Sequence, residues 1–84
     1  MRHIDFYFHE GCLSEHSILL LAKEIERACA AWSVRVHPLA ENDVKALGFA
    51  VLPAIAIDGR VIASGLPEEA WLLAKIHEWE GSEH

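Results

Sequence analysis

A thiol, a carboxylate and an imidazole crowd the short segment Gly11-Cys12-Leu13-Ser14-Glu15-His16, and no other stretch is as well equipped for chemistry. Only the thiolate of a cysteine is a nucleophile. If a helix opens at this point, its unpaired N–H groups and positive dipole end stabilise the thiolate of Cys12 and lower its pKa. His16, one helical turn further on, can bring an imidazolium near the same sulfur. Glu15 acts in the opposite sense when ionised, because a neighbouring negative charge raises a thiol pKa. A structural role is also open to Glu15: three residues after a capping residue, a glutamate reaches back to the cap's own N–H. Ser14 lacks the His–Asp constellation that a serine nucleophile requires. His9, Cys12 and His16 form an H-x2-C-x3-H string, but a structural zinc site has four ligands and these are three. No metal and no other cofactor is expected.

Positioning a thiol in this way takes a strand that ends, and a helix that begins, near residue 12. Residues His3 to Phe8 alternate, with Ile4, Phe6 and Phe8 on one face and Asp5 and Tyr7 on the other, as a strand requires. Residues 14–32 read as one long helix carrying Ile18, Leu21, Ala22, Ile25, Ala28, Cys29 and Trp32 at helical spacing. Leu19 and Leu20 widen that stripe and predict a helix buried on more than one side. On this reading Cys12 and Cys29 lie seventeen positions apart along the helix, roughly 25 Å at 1.5 Å per residue, which excludes a disulfide between them. Cys29 then belongs to the core. Ser33 to Leu39 alternates again with Val34 and Val36 inward, forming a right-handed β-α-β crossover to a parallel strand. Asn42 is the expected N-cap of a short helix ending near Leu47, with Gly48 just beyond. Ala54–Ile57 and Val61–Ala63 flank Asp58-Gly59, a hairpin signal. Pro67 is expected at the first position of a last helix that buries Leu72, Ile76 and Trp79, and Trp71 and Trp79 read as packing residues.

Composition bounds the function classes. The chain has 84 residues, of which 52% are apolar, enough for one globular core and too few residues for a second. Seven Lys and Arg stand against thirteen Asp and Glu, a net charge of −6 that repels phosphate backbones and anionic lipid. Neither nucleic acid nor membrane is therefore an expected partner. The longest apolar run, Ile18 to Ala22, is five residues, far below the roughly 20 of a membrane span. Met1-Arg2-His3-Ile4-Asp5 leads straight into the first strand pattern without a secretory h-region. A single cytoplasmic domain over residues 1–84 is the expectation.

The order β-α-β-α-β-β-α predicts an α/β architecture: a four-stranded mixed sheet with helices on both faces. A strand leading into Gly11-Cys12 at the head of a long helix resembles the redox turn of thioredoxins and glutaredoxins. Residues 48–61, Gly-Phe-Ala-Val-Leu-Pro-Ala-Ile-Ala-Ile-Asp-Gly-Arg-Val, resemble their second landmark, a cis-proline followed by a strand, an Asp-Gly turn and another strand. Ser64-Gly65-Leu66-Pro67 is similar to the same region of small thioredoxin-like proteins called glutaredoxin-like. The resemblance spans essentially the whole chain and implies a thioredoxin-like fold with Pro53 cis. It also implies a substrate groove in which Leu52 offers its backbone and Gly11 lets the turn pass closely. The sequence departs from that family at one telling position: where Cys-x-x-Cys is usual, Cys12-Leu13-Ser14-Glu15 stands, so a dithiol cycle within the chain is excluded. The glutathione-binding signatures of glutaredoxins are missing too. Two readings follow. One is a monothiol disulfide oxidoreductase acting through Cys12, with Glu15 and His16 beside it and a protein or small-molecule thiol or disulfide as partner. The other is a non-catalytic module that binds a partner protein through the groove beside Pro53.

Overall fold

The computed structural model describes residues 2–48 and 51–81. The first strand, β1 (His3–His9), buries Ile4, Phe6 and Phe8 on one face. A helix, α1 (Glu15–Ala28), crosses over to β2 (Ser33–Leu39), which pairs parallel to β1 with His3 opposite Ser33 and His9 opposite Leu39. After α2 (Glu41–Leu47), strand β3 (Ala54–Ile57) pairs antiparallel to the other side of β1, and β4 (Arg60–Ser64) pairs antiparallel to β3. The chain closes with α3 (Glu69–Gly81). The result is a four-stranded mixed sheet in the order β2-β1-β3-β4. Its central strands are the most apolar: all four residues of β3 are buried, as continuous apolar strands flanked on both sides should be.

One core holds the layers together. Ile18, Leu21, Ala22 and Ile25 of α1 meet Ile4, Phe6 and Phe8 of β1, Ile55 and Ile57 of β3, and Leu72 and Ile76 of α3. Each fully buried aliphatic or aromatic side chain contributes about 1.5–3 kcal/mol. The Asp58-Gly59 turn takes positive φ at both residues, 49° and 86°, as a two-residue hairpin with right-handed strand twist demands. Asp58 N–H further donates to the His3 carbonyl at 3.0 Å, which ties the hairpin to the start of β1.

Several expectations from the sequence need correction. Helix α1 ends at Ala28, with Cys29 as its C-cap, and not at residue 32. Trp32 is nonetheless buried, because the turn after Cys29 folds it back and its Nε1–H donates to Glu80 Oε2 at 2.7 Å. Leu19 and Leu20 are exposed, so α1 is buried along a single stripe. Val36 is 40% exposed because β2 is an edge strand. The N-cap of α2 is Ala40 rather than Asn42; its N–H donates to Asp43 Oδ2 at 3.2 Å, which starts the helix two residues earlier. Gly48 does close α2, at φ 74°. Pro67 lies outside α3, since the Glu68 carbonyl already accepts the first helical bond from Leu72. Trp79 is half-buried and Trp71 exposed.

Candidate functional site

Four loops gather at the end of the sheet where β1 finishes. The pairing of Tyr7 with Ala54 sets the last residues of β1 beside the first of β3, so the loop holding Cys12 and the segment holding Pro53 share this end. Glu10 N–H donates to the Leu39 carbonyl at 2.8 Å and draws in the end of β2. Gly65 N–H donates to the Pro53 carbonyl at 2.6 Å and draws in the end of β4. The Leu52–Pro53 bond is cis.

Cys12 lies in a tight turn, its N–H on the His9 carbonyl at 3.1 Å and its own carbonyl accepting from Glu15 N–H at 3.2 Å. Gly11 permits the turn by taking φ 76°, a conformation costly for residues with a Cβ. The thiol thus sits three residues before the first residue of α1, whose N-cap is Ser14. Cys12 is half-buried and packs on the core, while its neighbour Leu13 is fully exposed. Glu15 turns back on the loop: Oε1 accepts a hydrogen bond from Gly11 N–H at 3.0 Å. The carboxylate is therefore engaged in holding the turn, on the N–H just before that of Cys12, the residue three positions ahead of Glu15; with Ser14 as the N-cap this is not a capping box. His16 lines a groove between α1 and β2, with Leu19, Leu20 and Val36. Cys29, the other free thiol, is buried; burial first, and then the charge of Glu80, push its pKa up. Among the described residues, no three His, Cys, Asp or Glu side chains are arranged to hold a metal ion.

Several described apolar side chains are exposed in the loops at this end of the sheet. Among the described residues, neither the N–H nor the carbonyl of Leu52 has a hydrogen-bond partner. Val51, Leu66 and Leu13 are exposed. A groove of about 580 Å³ runs from Ser64 and Gly65 to Trp71, beside the segment that Gly65 bonds to Pro53.

A second cluster lies on the opposite face of β1, away from the core. Asp5 is 2% exposed and makes three hydrogen bonds: from Arg35 Nε to Oδ1 at 2.8 Å, from Arg35 Nη2 to Oδ2 at 3.1 Å, and between His37 Nε2 and Oδ1 at 2.8 Å. His3 Nε2 lies 3.5 Å from Oδ2, and the Tyr7 ring stacks on His37 at 4.6 Å between centroids. Burial alone pushes the Asp5 carboxyl up, but the hydrogen bonds and charges of Arg35 and His37 outweigh it and hold the pKa below the ordinary value. Burial and the Asp5 charge push the Tyr7 phenol up. Spacing along the chain gave no sign of this cluster. The signal was in the register: two parallel strands in phase set Asp5 opposite Arg35 and Tyr7 opposite His37.

No family model matches the sequence, and no curated protein matches it either. Solved structures do. A selenoprotein W-related protein from Vibrio cholerae superposes with a TM-score of 0.73 at 18% identity, covering 93% of this chain and 95% of that one. A chain from the complex of ferredoxin:thioredoxin reductase with thioredoxin f2 gives 0.71 at 19% identity, over 94% of this chain and 77% of that one. Oxidised thioredoxin O2 from Arabidopsis thaliana gives 0.66 at 12% identity, over 93% and 74%. At such identities the likeness is one of architecture, and the chain has the thioredoxin-like fold.

Proposed function

We propose that the protein is a thioredoxin-like thiol protein acting through Cys12 alone. The observation that carries the reading is a half-exposed thiol in the loop after β1, at the sheet end where Leu52 keeps both backbone groups unpaired among the described residues. An extended substrate segment can pair with Leu52 as an added strand does, and exposed Val51 and Leu66 give its side chains apolar footing. The thiolate of Cys12 attacks one sulfur of a substrate disulfide. The S–S bond breaks, the other sulfur leaves as a thiolate and takes up a proton, and a Cys12 mixed disulfide forms. A thiol from solution or from a partner protein then attacks the substrate sulfur of that mixed disulfide and returns Cys12 to its thiolate. Glu15 stands where a resolving cysteine would, and Cys29 is buried, so the resetting thiol comes from outside the chain. The structural neighbours include a complex of a thioredoxin with its reductase, which supports a protein as that partner.

A second reading has its own observation. The Glu15 carboxylate is committed to Gly11 N–H, and a loop braced in this way suits a module that binds a partner over Leu13, Val51 and Leu66 without chemistry.

Trapping and alkylation separate the two. With Cys29→Ser as background, the rate of Cys12 alkylation by iodoacetamide is followed across pH. An apparent pKa well below the free-thiol value of about 8.5 supports thiol chemistry. A value at or above it favours the binding module. Cys12→Ser should abolish mixed-disulfide trapping of partners and Cys29→Ser should preserve it; equal trapping by both variants would remove Cys12 from the site.

A further inference from the structure

We propose that the segment on which Cys12 acts is a basic one: an extended peptide that lays a Lys or Arg side chain in the groove beside Gly65, with Glu68 as its anion. The inference rests on the thiol reading of Cys12 and adds to it the class of substrate. Strand directions set up the charge. β1, β2 and β4 run the same way, because β2 is parallel to β1 while β3 is antiparallel to both β1 and β4. All three finish at the Cys12 end of the sheet, and a helix follows each. Acids in its first turn stabilise a helix, and here they are Glu15 in α1, Glu41 and Asp43 in α2, and Glu69 in α3. Glu10 and Glu68 stand beside them in the loops. What each helix needs locally thus accumulates around one thiol. Among the described residues 9–16, 40–44, 51–53 and 64–70 the basic side chains are His9 and His16, with no Lys or Arg. Lys45 follows, in the last turn of α2.

Pairing sets this end apart from the rest of the molecule. Asp5, Glu24 and Glu78 each meet an Arg or Lys, at 2.8, 3.5 and 3.6 Å. Glu15 and Asp43 are held by the backbone N–H groups of Gly11 and Ala40. Glu10, Glu41, Glu68 and Glu69 are exposed and make no ion pair among the described residues. Glu68 also lines the groove of about 580 Å³, together with Ile62, Leu66 and Trp71. A long cationic side chain buries its methylene stem on apolar surface and keeps its charged head at a polar rim. Ile62, Leu66 and Trp71 offer the surface, and Glu68 the rim. Lys75 stands over the Trp71 ring at 5.7 Å, but its ion pair is with Glu78. The groove adjoins the reactive end through Gly65, whose N–H holds the Pro53 carbonyl, so one peptide can pair with Leu52 and fill the groove. An anionic disulfide, such as that of the net-anionic tripeptide glutathione, meets the opposing field and is a poor partner.

Short peptides test the proposal, identical except that Lys, Gln or Glu flanks a cysteine activated as its pyridyl disulfide. In the full chain carrying Cys29→Ser, the Cys12 thiolate attacks the peptide sulfur, the S–S bond breaks and pyridinethione leaves, so its absorbance reports the rate. Dividing each rate by that of mercaptoethanol, a neutral thiol, cancels the intrinsic reactivity of the peptides. In about 0.01 M salt, where the Debye length is about 30 Å, the Lys peptide should outpace the Glu peptide by at least roughly tenfold. That margin should shrink severalfold in about 1 M salt, where the length is about 3 Å. At about 0.1 M, Glu68→Gln should lower the ratio by at least roughly threefold, while Glu26→Gln, in the last turn of α1, should leave it unchanged. A normalised ratio near one at low salt, with the Gln peptide reacting, would overturn the basic-substrate inference and leave the thiol reading standing. A ratio indifferent to Glu68→Gln would overturn the assignment of the groove. No reaction of the Gln peptide beyond that of a Cys12→Ser variant would remove Cys12 from the site, and this inference with it.

Discussion

Replacing Asp5 by asparagine keeps the volume of the side chain and removes its charge from a buried position. Asparagine has one carbonyl oxygen where aspartate has two carboxylate oxygens. Its amide must then point two hydrogens at Arg35 or His37, both of which already aim nitrogens at that spot. Breaking a buried ion pair from one side costs about 3–5 kcal/mol. Here the Arg35 side chain is 51% exposed and that of His37 is 36% exposed, so both can rehydrate, and about 2–3 kcal/mol is the expected loss. For a domain of this size each kcal/mol lowers Tm by about 4–8 °C, so the melt should fall by roughly 8–24 °C. Its pH dependence is the sharper test. The native pKa of Asp5 is depressed, so its stabilisation is complete above the unfolded value of about 3.9 and fades as the pH drops through the lower native value. Urea titrations of both proteins at about pH 7 and about pH 2.5, followed by circular dichroism, should show a wide gap that narrows in acid. A gap below about 0.5 kcal/mol at neutral pH, or one unchanged in acid, would refute the claim that the Asp5 charge holds the two parallel strands together.

Two further outcomes follow from the core. The native protein should react with a thiol reagent at one cysteine, and at the second only on unfolding, because Cys29 is buried and its pKa is raised; two fast equivalents in the native state would contradict that burial. Ile76→Ala empties a fully buried position where α3 meets α1 and should cost about 2–5 kcal/mol by chemical denaturation; a cost under about 1 kcal/mol would mean that α3 is not docked on this core.

Local patterns carried most of the architecture. Alternation in β1, the Asp58-Gly59 turn and the 18-21-22-25 stripe of α1 each depend on residues close in sequence, and each was readable there. Where α1 ends was not. Cys29 and Trp32 keep helical spacing and are buried, but a turn and a hydrogen bond to Glu80, 48 residues away, put Trp32 in the core. Leu19 and Leu20 misled for a related reason: an apolar residue on a helix is silent about whether anything covers it. Around Cys12, the thiol and its loop were legible, as was the bracing role open to Glu15, though its partner is the N–H of Gly11. The Asp5 cluster was hidden because its members meet across strands and not along the chain.

The position of β1 in the sheet bears on how the chain assembles during synthesis. β1 is flanked by β2 on one side and β3 on the other, so its two ladders come from chain segments separated by a helix and a loop. The β3–β4 hairpin closes over two residues and can form within about 1–10 μs once both strands exist. The β1–β2 ladder must instead wait for the whole crossover, a non-local pairing that forms slowly. On a ribosome, residues through Leu39 emerge while the second side of β1 is still without its partner; Ile57 follows eighteen residues later. At roughly 5–20 residues per second that interval is about 1–4 s. Through it, the β1 edge and the apolar side chains of Ile4, Phe6 and Phe8 stay only half covered. A nascent chain of this architecture therefore still offers one unpaired β1 edge to chaperones, and to mispairing with its neighbours, in the window between its second and third strands.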